Sequence, residues 1–163
     1  FTVDGFFRTG DAGYLTEKGG IVLTERIKDL YKTSNGKYIA PQQIEMRLMC
    51  DKYVDSAIVI GDQRKYVTAL IIPDQPEVAK YAQKNNISYD SISDLFQHPS
   101  IQELFEKQIA SMQYEFATYE QIKRFTLLSE PFSIQGGELT NTLKMKRAFI
   151  AEKYKEIIDR MYE

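Results

Sequence analysis

The chain has 163 residues, 43% hydrophobic and 27% charged, enough to bury one sizeable core or one core plus a satellite segment. A formal net charge of −2 excludes a global attraction to nucleic acid or to an anionic membrane, and no apolar run approaches the roughly 20 residues that span a bilayer. A lone cysteine, Cys50, excludes a disulfide framework, leaves no Cys/His metal cluster and fits a reducing cytoplasm.

The opening Phe1-Thr2-Val3-Asp4-Gly5 has no initiating Met, no basic n-region and no apolar h-region, so the chain reads as an excised piece that enters no secretory route. Residues 6–23 read as two short strands around Gly10-Asp11-Ala12-Gly13 and Lys18-Gly19-Gly20, a hairpin fragment of a larger sheet. The charged stretch from Glu25 to Lys32 follows and is the best boundary candidate. Pro41 suits a first helical position, with Ile44, Leu48 and Met49 on one face. Residues 56–60 and 67–72 are apolar or β-branched and are joined by Gly61-Asp62-Gln63-Arg64-Lys65, which predicts an antiparallel strand pair.

A helix over 76–85 comes next. Another is predicted from Ser100, capped by a Ser100/Glu103 box, with Ile101, Leu104, Phe105, Ile109, Met112 and Phe116 in one stripe. A third strand over 124–128 precedes a polar turn. A last helix carries Phe149, Ile150, Tyr154, Ile157, Ile158 and Met161 at helical spacing. The expected class is α+β: a small three-stranded antiparallel-type sheet covered by helices, plus the N-terminal hairpin.

Three segments could carry chemistry. In Phe7-Arg8-Thr9-Gly10-Asp11 the glycine permits a tight turn with a carboxylate at its tip, suited to a diol such as a ribose or simply to a turn. In Arg26-Ile27-Lys28-Asp29-Leu30-Tyr31-Lys32 an extended backbone would set Arg26, Lys28 and Lys32 on one face, a phosphate ledge with Gly36 and Lys37 or a lysine-protected edge strand. In the segment from Gly137 to Arg147, Lys144, Lys146 and Arg147 are predicted to enter a helix start, where the dipole disfavours a cation. His98 has no evident nucleophile partner and reads as structural or solvent-facing, and Cys50 at a helix end reads as a small buried hydrophobe.

In their order and separation, Phe7-Arg8-Thr9-Gly10-Asp11, Arg26-Ile27-Lys28-Asp29 with Gly36 and Pro41, and Leu139-Thr140-Asn141-Thr142-Leu143-Lys144-Met145-Lys146-Arg147 resemble the C-terminal motifs of adenylate-forming acyl-CoA synthetases. The segment from Val59 to Asp74 is similar to the long-chain fatty-acid branch. Three positions depart from the pattern: Glu25 and Leu143 stand where many relatives have Gly, and Asn141 where the branch usually has Pro.

The resemblance implies a ligase that joins a fatty carboxylate to ATP as acyl-AMP and then passes the acyl group to the thiol of coenzyme A. Residues 1–25 would be the tail of a large N-terminal domain, and residues 26–163 a mobile C-terminal domain, inactive alone. By resemblance, Lys144 is the adenylation lysine, Asp11 binds the ribose hydroxyls, Arg26 approaches the nucleotide, Lys28 is the hinge, and Lys32, Gly36 and Lys37 face coenzyme A in the second step. The implied partners are the large domain, fatty acid, ATP and coenzyme A, with Mg2+ held beside ATP by the large domain. The setting is cytoplasmic, with peripheral membrane contact left open. The alternatives are another adenylate-forming enzyme and a non-catalytic α+β interaction module.

Overall fold

Residues 1–163 are described by a computed structural model, with the side chain of Glu25 outside the description. The chain forms, in order, β1 (Asp11–Leu15), β2 (Ile21–Arg26), a 3-10 turn (Ile27–Asp29), β3 (Tyr31–Lys32), β4 (Tyr38–Ile39), α1 (Pro41–Leu48), β5 (Val54–Ile60) and β6 (Val67–Pro73). It continues with α2 (Gln75–Lys84), α3 (Ile92–Gln97), α4 (Pro99–Met112), β7 (Ile122–Leu127), α5 (Arg147–Lys153) and α6 (Lys155–Arg160). The class is α+β, as expected.

The central sheet has the order β5-β6-β7. Every residue of β6 is buried, because both faces of the sheet are covered, and this is why its sequence is a continuous apolar run without alternation. The pleat still sorts its neighbours. Ala57, Val59, Ala69 and Ile71 join one core with Ile44, Leu48, Ile101, Phe105 and Ile109, whereas Ile58, Leu70 and Ile72 join a second with Phe132, Ile150, Ile158 and Met161.

Strands β5 and β6 are antiparallel, as their short connection predicts. The third strand corrects the expected antiparallel-type sheet: β7 runs parallel to β6. Between β6 and β7 the chain makes α2, α3 and α4, and a crossover of that length returns a strand in the same sense, which a tight turn cannot.

Helix α4 carries the predicted stripe but not the predicted cap. Pro99 occupies its first turn and His98 Nδ1 accepts from Ser100 N at 3.2 Å, while Glu103 pairs with Lys107 at 2.7 Å. Phe116 lies beyond the end of α4. Helix α3 was not anticipated; Ser91 caps it by accepting from Asp94 N at 3.1 Å. The predicted last helix is two, separated at Tyr154, whose ring packs on Phe132.

The N-terminal hairpin differs from its expected placement. Gly10-Asp11 opens β1 and does not separate two strands, and β1 pairs with β2 across a bulge between Ala12 and Gly13. A side chain at Gly13 would meet the Val22 carbonyl at 2.5 Å, so the strands approach this closely only with glycine. Phe6, Phe7, Leu15, Ile21 and Leu23 are each at least two-thirds exposed, and the hairpin contributes nothing to either core among the described residues.

Candidate functional site

The Lys144 segment is a tight hairpin. Leu139 bridges Met145, Thr140 N donates to Lys144 O at 2.8 Å, and Lys144 N donates to Thr140 Oγ1 at 3.0 Å. The expected position at a helix start is therefore corrected: α5 begins at Arg147, so Lys144 stands in the hairpin, outside the reach of the first-turn dipole. Lys144 itself is exposed. Leu143 has φ +59°, a left-handed conformation that glycine adopts freely and that strains a leucine by about 1–3 kcal/mol. The sequence departure at 143 thus falls on the residue whose backbone most favours glycine.

Below the hairpin lies Glu138, 2% exposed. It pairs with Lys153 and accepts from Ser133 N at 3.2 Å and Tyr154 OH at 3.4 Å. Burial alone would raise the Glu138 carboxyl, but Lys153, its own N–H and that of Ser133 together hold it below its ordinary 4.5. A depressed carboxyl contributes stability that is present above the unfolded value and lost as the pH falls through the folded one. The thermal midpoint of the chain should accordingly fall as acid is added below 4.5. Glu138→Gln should flatten part of that acid limb in a pH series of melting curves; an unaltered limb would remove the pair from the explanation.

A second buried cluster joins elements far apart in sequence. Glu45 on α1 accepts from Val59 N at 2.7 Å, from Arg147 Nη1 at 2.7 Å and from Arg147 Nη2 at 2.5 Å, the last two a two-pronged contact. Arg147 Nη1 also donates to Tyr31 OH at 3.3 Å. Burial works against the Arg147 charge, but the hydrogen bonds and charge of Glu45 outweigh it and raise the guanidinium above its ordinary value. Sequence reading grouped Arg147 with Lys144 and Lys146 as a basic run and missed Glu45 altogether. Nothing local marks a pair separated by 102 positions.

The other candidate residues fall in two groups. Asp11 and Arg26 are register partners in the N-terminal hairpin and form an ion pair at 3.3 Å. Lys28 follows in the 3-10 turn, exposed, where Ile27 N donates to Gly10 O at 2.8 Å and Asp29 Oδ2 accepts from Gln42 Nε2 at 2.9 Å. This turn breaks the period-two alternation expected to align Arg26, Lys28 and Lys32.

Lys32, Gly36 and Lys37 belong to the short β3–β4 hairpin, with Gly36 at φ +77°. Two tyrosines missed by sequence reading lie here. Lys32 Nζ sits 5.8 Å from the Tyr38 ring and Lys37 Nζ 5.6 Å from the Tyr119 ring, both rings substantially exposed. Among the described residues no hydrogen bond or ion pair joins Lys144 to Asp11 or Arg26, and no three His, Cys, Asp or Glu side chains converge to hold a metal ion.

Residues 28–163 match the family model described as the AMP-binding enzyme C-terminal domain. The chain belongs to that family. It is 32% identical over 160 residues to the long-chain-fatty-acid–CoA ligase FadD15 of Mycobacterium tuberculosis, covering 98% of this chain and 27% of the relative. It is 34% identical over 167 residues to long-chain-fatty-acid–CoA ligase 1 of Schizosaccharomyces pombe, covering 99% of this chain and 25% of the relative. The chain thus spans about a quarter of the length of these curated relatives. Among solved structures, the adenylation domain of a carboxylate reductase from Mycobacterium chelonae superposes with a TM-score of 0.73 at 26% identity, over 99% of this chain and 24% of that one. The corresponding domain from Segniliparus rugosus, in complex with AMP and a carboxylic acid, shares the fold with a TM-score of 0.75 at 24% identity, over 99% of this chain and 24% of that one. No helix among the described residues is long and apolar enough to cross a membrane.

Proposed function

We propose that this chain is the C-terminal part of a long-chain fatty-acid–CoA ligase, which converts a fatty acid and ATP to acyl-AMP and pyrophosphate and then transfers the acyl group to coenzyme A. The observation that carries this reading is Lys144, exposed on a braced hairpin within a family domain whose curated relatives are named as such ligases. Identity of 32–34% to ligases favours this reading over that of another adenylate-former.

The chemistry follows from charge. A carboxylate and a triphosphate repel, so a cation placed where they meet stabilises the transition state more than the separated reactants. Lys144 supplies that cation. Asp11 accepts hydrogen bonds from the ribose hydroxyls, and Arg26, now paired with Asp11, approaches the nucleotide.

The thiol must later reach the same carbonyl, so the lysine has to withdraw. Lys28, in its exposed turn, is the hinge, and rotation about it brings Lys32, Gly36 and Lys37 to the coenzyme A side. Residues 26–163 form the mobile body, and residues 1–25 belong to a large domain of the same polypeptide. The exposed Phe6, Phe7, Leu15, Ile21 and Leu23 support this division, since a hairpin with no core of its own needs one elsewhere. Mg2+ accompanying ATP would be held there too. Cys50, exposed where burial was expected, is unpaired, which suits a cytoplasmic setting.

The test is direct. The full-length polypeptide, given ATP, Mg2+, coenzyme A and a long-chain fatty acid, should release AMP and pyrophosphate and form the thioester in equal amounts. Thioester formation that does not depend on fatty acid, or none at all, would overturn the reading.

A further inference from the structure

The two hairpins assigned to different half-reactions rest on one buried cluster, but they depend on it unequally. The β3–β4 hairpin reaches the cluster through Tyr31 OH, and it is also tied to the β5–β6 connection. There Lys32 N donates to Asp62 Oδ1 at 3.1 Å, Gln63 N to Lys32 O at 2.9 Å and Ser34 N to Arg64 O at 3.0 Å.

The Lys144 hairpin packs on the second core through Leu139 and Met145 and has fewer polar ties to the rest of the domain. Glu138 and Lys153 brace it from within its own segment, and the polar link from its end to α1, β5 and β3 is Arg147. The far end of α6 is held separately, by Arg64 with Asp159 at 2.6 Å and by Tyr162 OH with Tyr66 O at 3.0 Å. Loss of the Arg147 contact would remove that polar link, leaving the hairpin on the apolar packing of Leu139 and Met145 against the second core and leaving α6 in place.

We propose that Arg147, clamped by Glu45, is a positioning residue that holds the Lys144 hairpin at a fixed separation from the β3–β4 hairpin, so that the two faces turn as one rigid body. This rests on the reading of Lys144 as the adenylation lysine. A buried ion pair often serves stability or fold specificity alone, so the test must separate geometry from folding.

Two variants of the full-length polypeptide do so. Arg147→Lys keeps the charge and loses the two-pronged contact; Glu45→Gln keeps the shape and an oxygen for Val59 N, and loses the charge. Both should lower kcat for fatty-acid-dependent ATP–pyrophosphate exchange by roughly 10²-fold, as a displacement of about 1 Å can do. KM for ATP and fatty acid should stay within about twofold, because ground-state binding is untouched. Thioester formation from supplied acyl-AMP should change little. Deuterium exchange should quicken over residues 139–146 and stay unchanged over α4.

Unchanged exchange kinetics, equal losses in both half-reactions, or faster exchange in α4 would overturn the proposal. So would failure of both variants to fold, which would make the pair a folding requirement. Lys144→Ala run in parallel separates the two readings: if it leaves adenylation intact the functional reading fails, and if it abolishes adenylation while both pair variants do not, only the positioning role fails.

Discussion

Lys144→Ala in the full-length polypeptide should lower fatty-acid-dependent ATP–pyrophosphate exchange by roughly 10²–10³, the usual loss when one preorganised charge-stabilising group is removed. Thioester formation from supplied acyl-AMP and coenzyme A should survive, because in the proposed cycle that step begins after the lysine has withdrawn. The structure makes this a clean substitution. Only the backbone of Lys144 takes part in the hairpin's hydrogen bonds among the described residues, and its side chain is exposed. The melting temperature should hardly move, since surface changes of this kind stay within about 0.5 kcal/mol. A loss of both half-reactions to the same degree would rule out a role confined to adenylation.

Lys28→Pro should divide the half-reactions in another way. Proline fixes φ near the value a 3-10 turn uses. It also pushes Ile27 toward the extended region already occupied by Arg26 at ψ 131° and Leu30 at ψ 133°. The joint would then have one setting where the proposed cycle needs two. One half-reaction should proceed near the unsubstituted rate while the other falls by roughly 10²-fold, since its groups no longer reach their positions. Rapid-quench measurement of each step decides it, and unaltered rates in both would remove Lys28 from the hinge.

These two residues stand out as candidates through the order and spacing of their motifs, which the family resemblance turns into proposed roles. Lys144 stands in a run of polar turn residues with Thr140 and Thr142, whose hydroxyls meet at 3.0 Å, and Lys28 lies in a charged stretch between two readable segments. The helical stripe of Ile101, Leu104, Phe105 and Ile109 and the apolar runs of β5 and β6 were legible because their signals are local. Where local signals competed, the reading went astray. Ser100 is a fair cap, but Pro99 beside it starts the helix two residues earlier and leaves His98 to cap it. At Ile27–Asp29 a 3-10 turn replaces the extended strand, so the row of cations is broken.

By itself the sequence determined the α+β class, the pairing of β5 with β6 and the stripe that buries α4, because periodicity and turn chemistry are properties of neighbours; the roles proposed for Asp11, Arg26, Lys28, Lys32, Gly36, Lys37 and Lys144 rest on the family resemblance. Only the tertiary structure decided the parallel sense of β7, the break at Tyr154, the pairing of Asp11 with Arg26, and the clamp of Arg147 by Glu45. The physical reason is distance along the chain. A strand's direction depends on where a three-helix crossover returns it. A carboxylate meets its guanidinium 102 residues away because the folded sheet sets α1 beside the start of α5, a relation no stretch of neighbouring residues encodes.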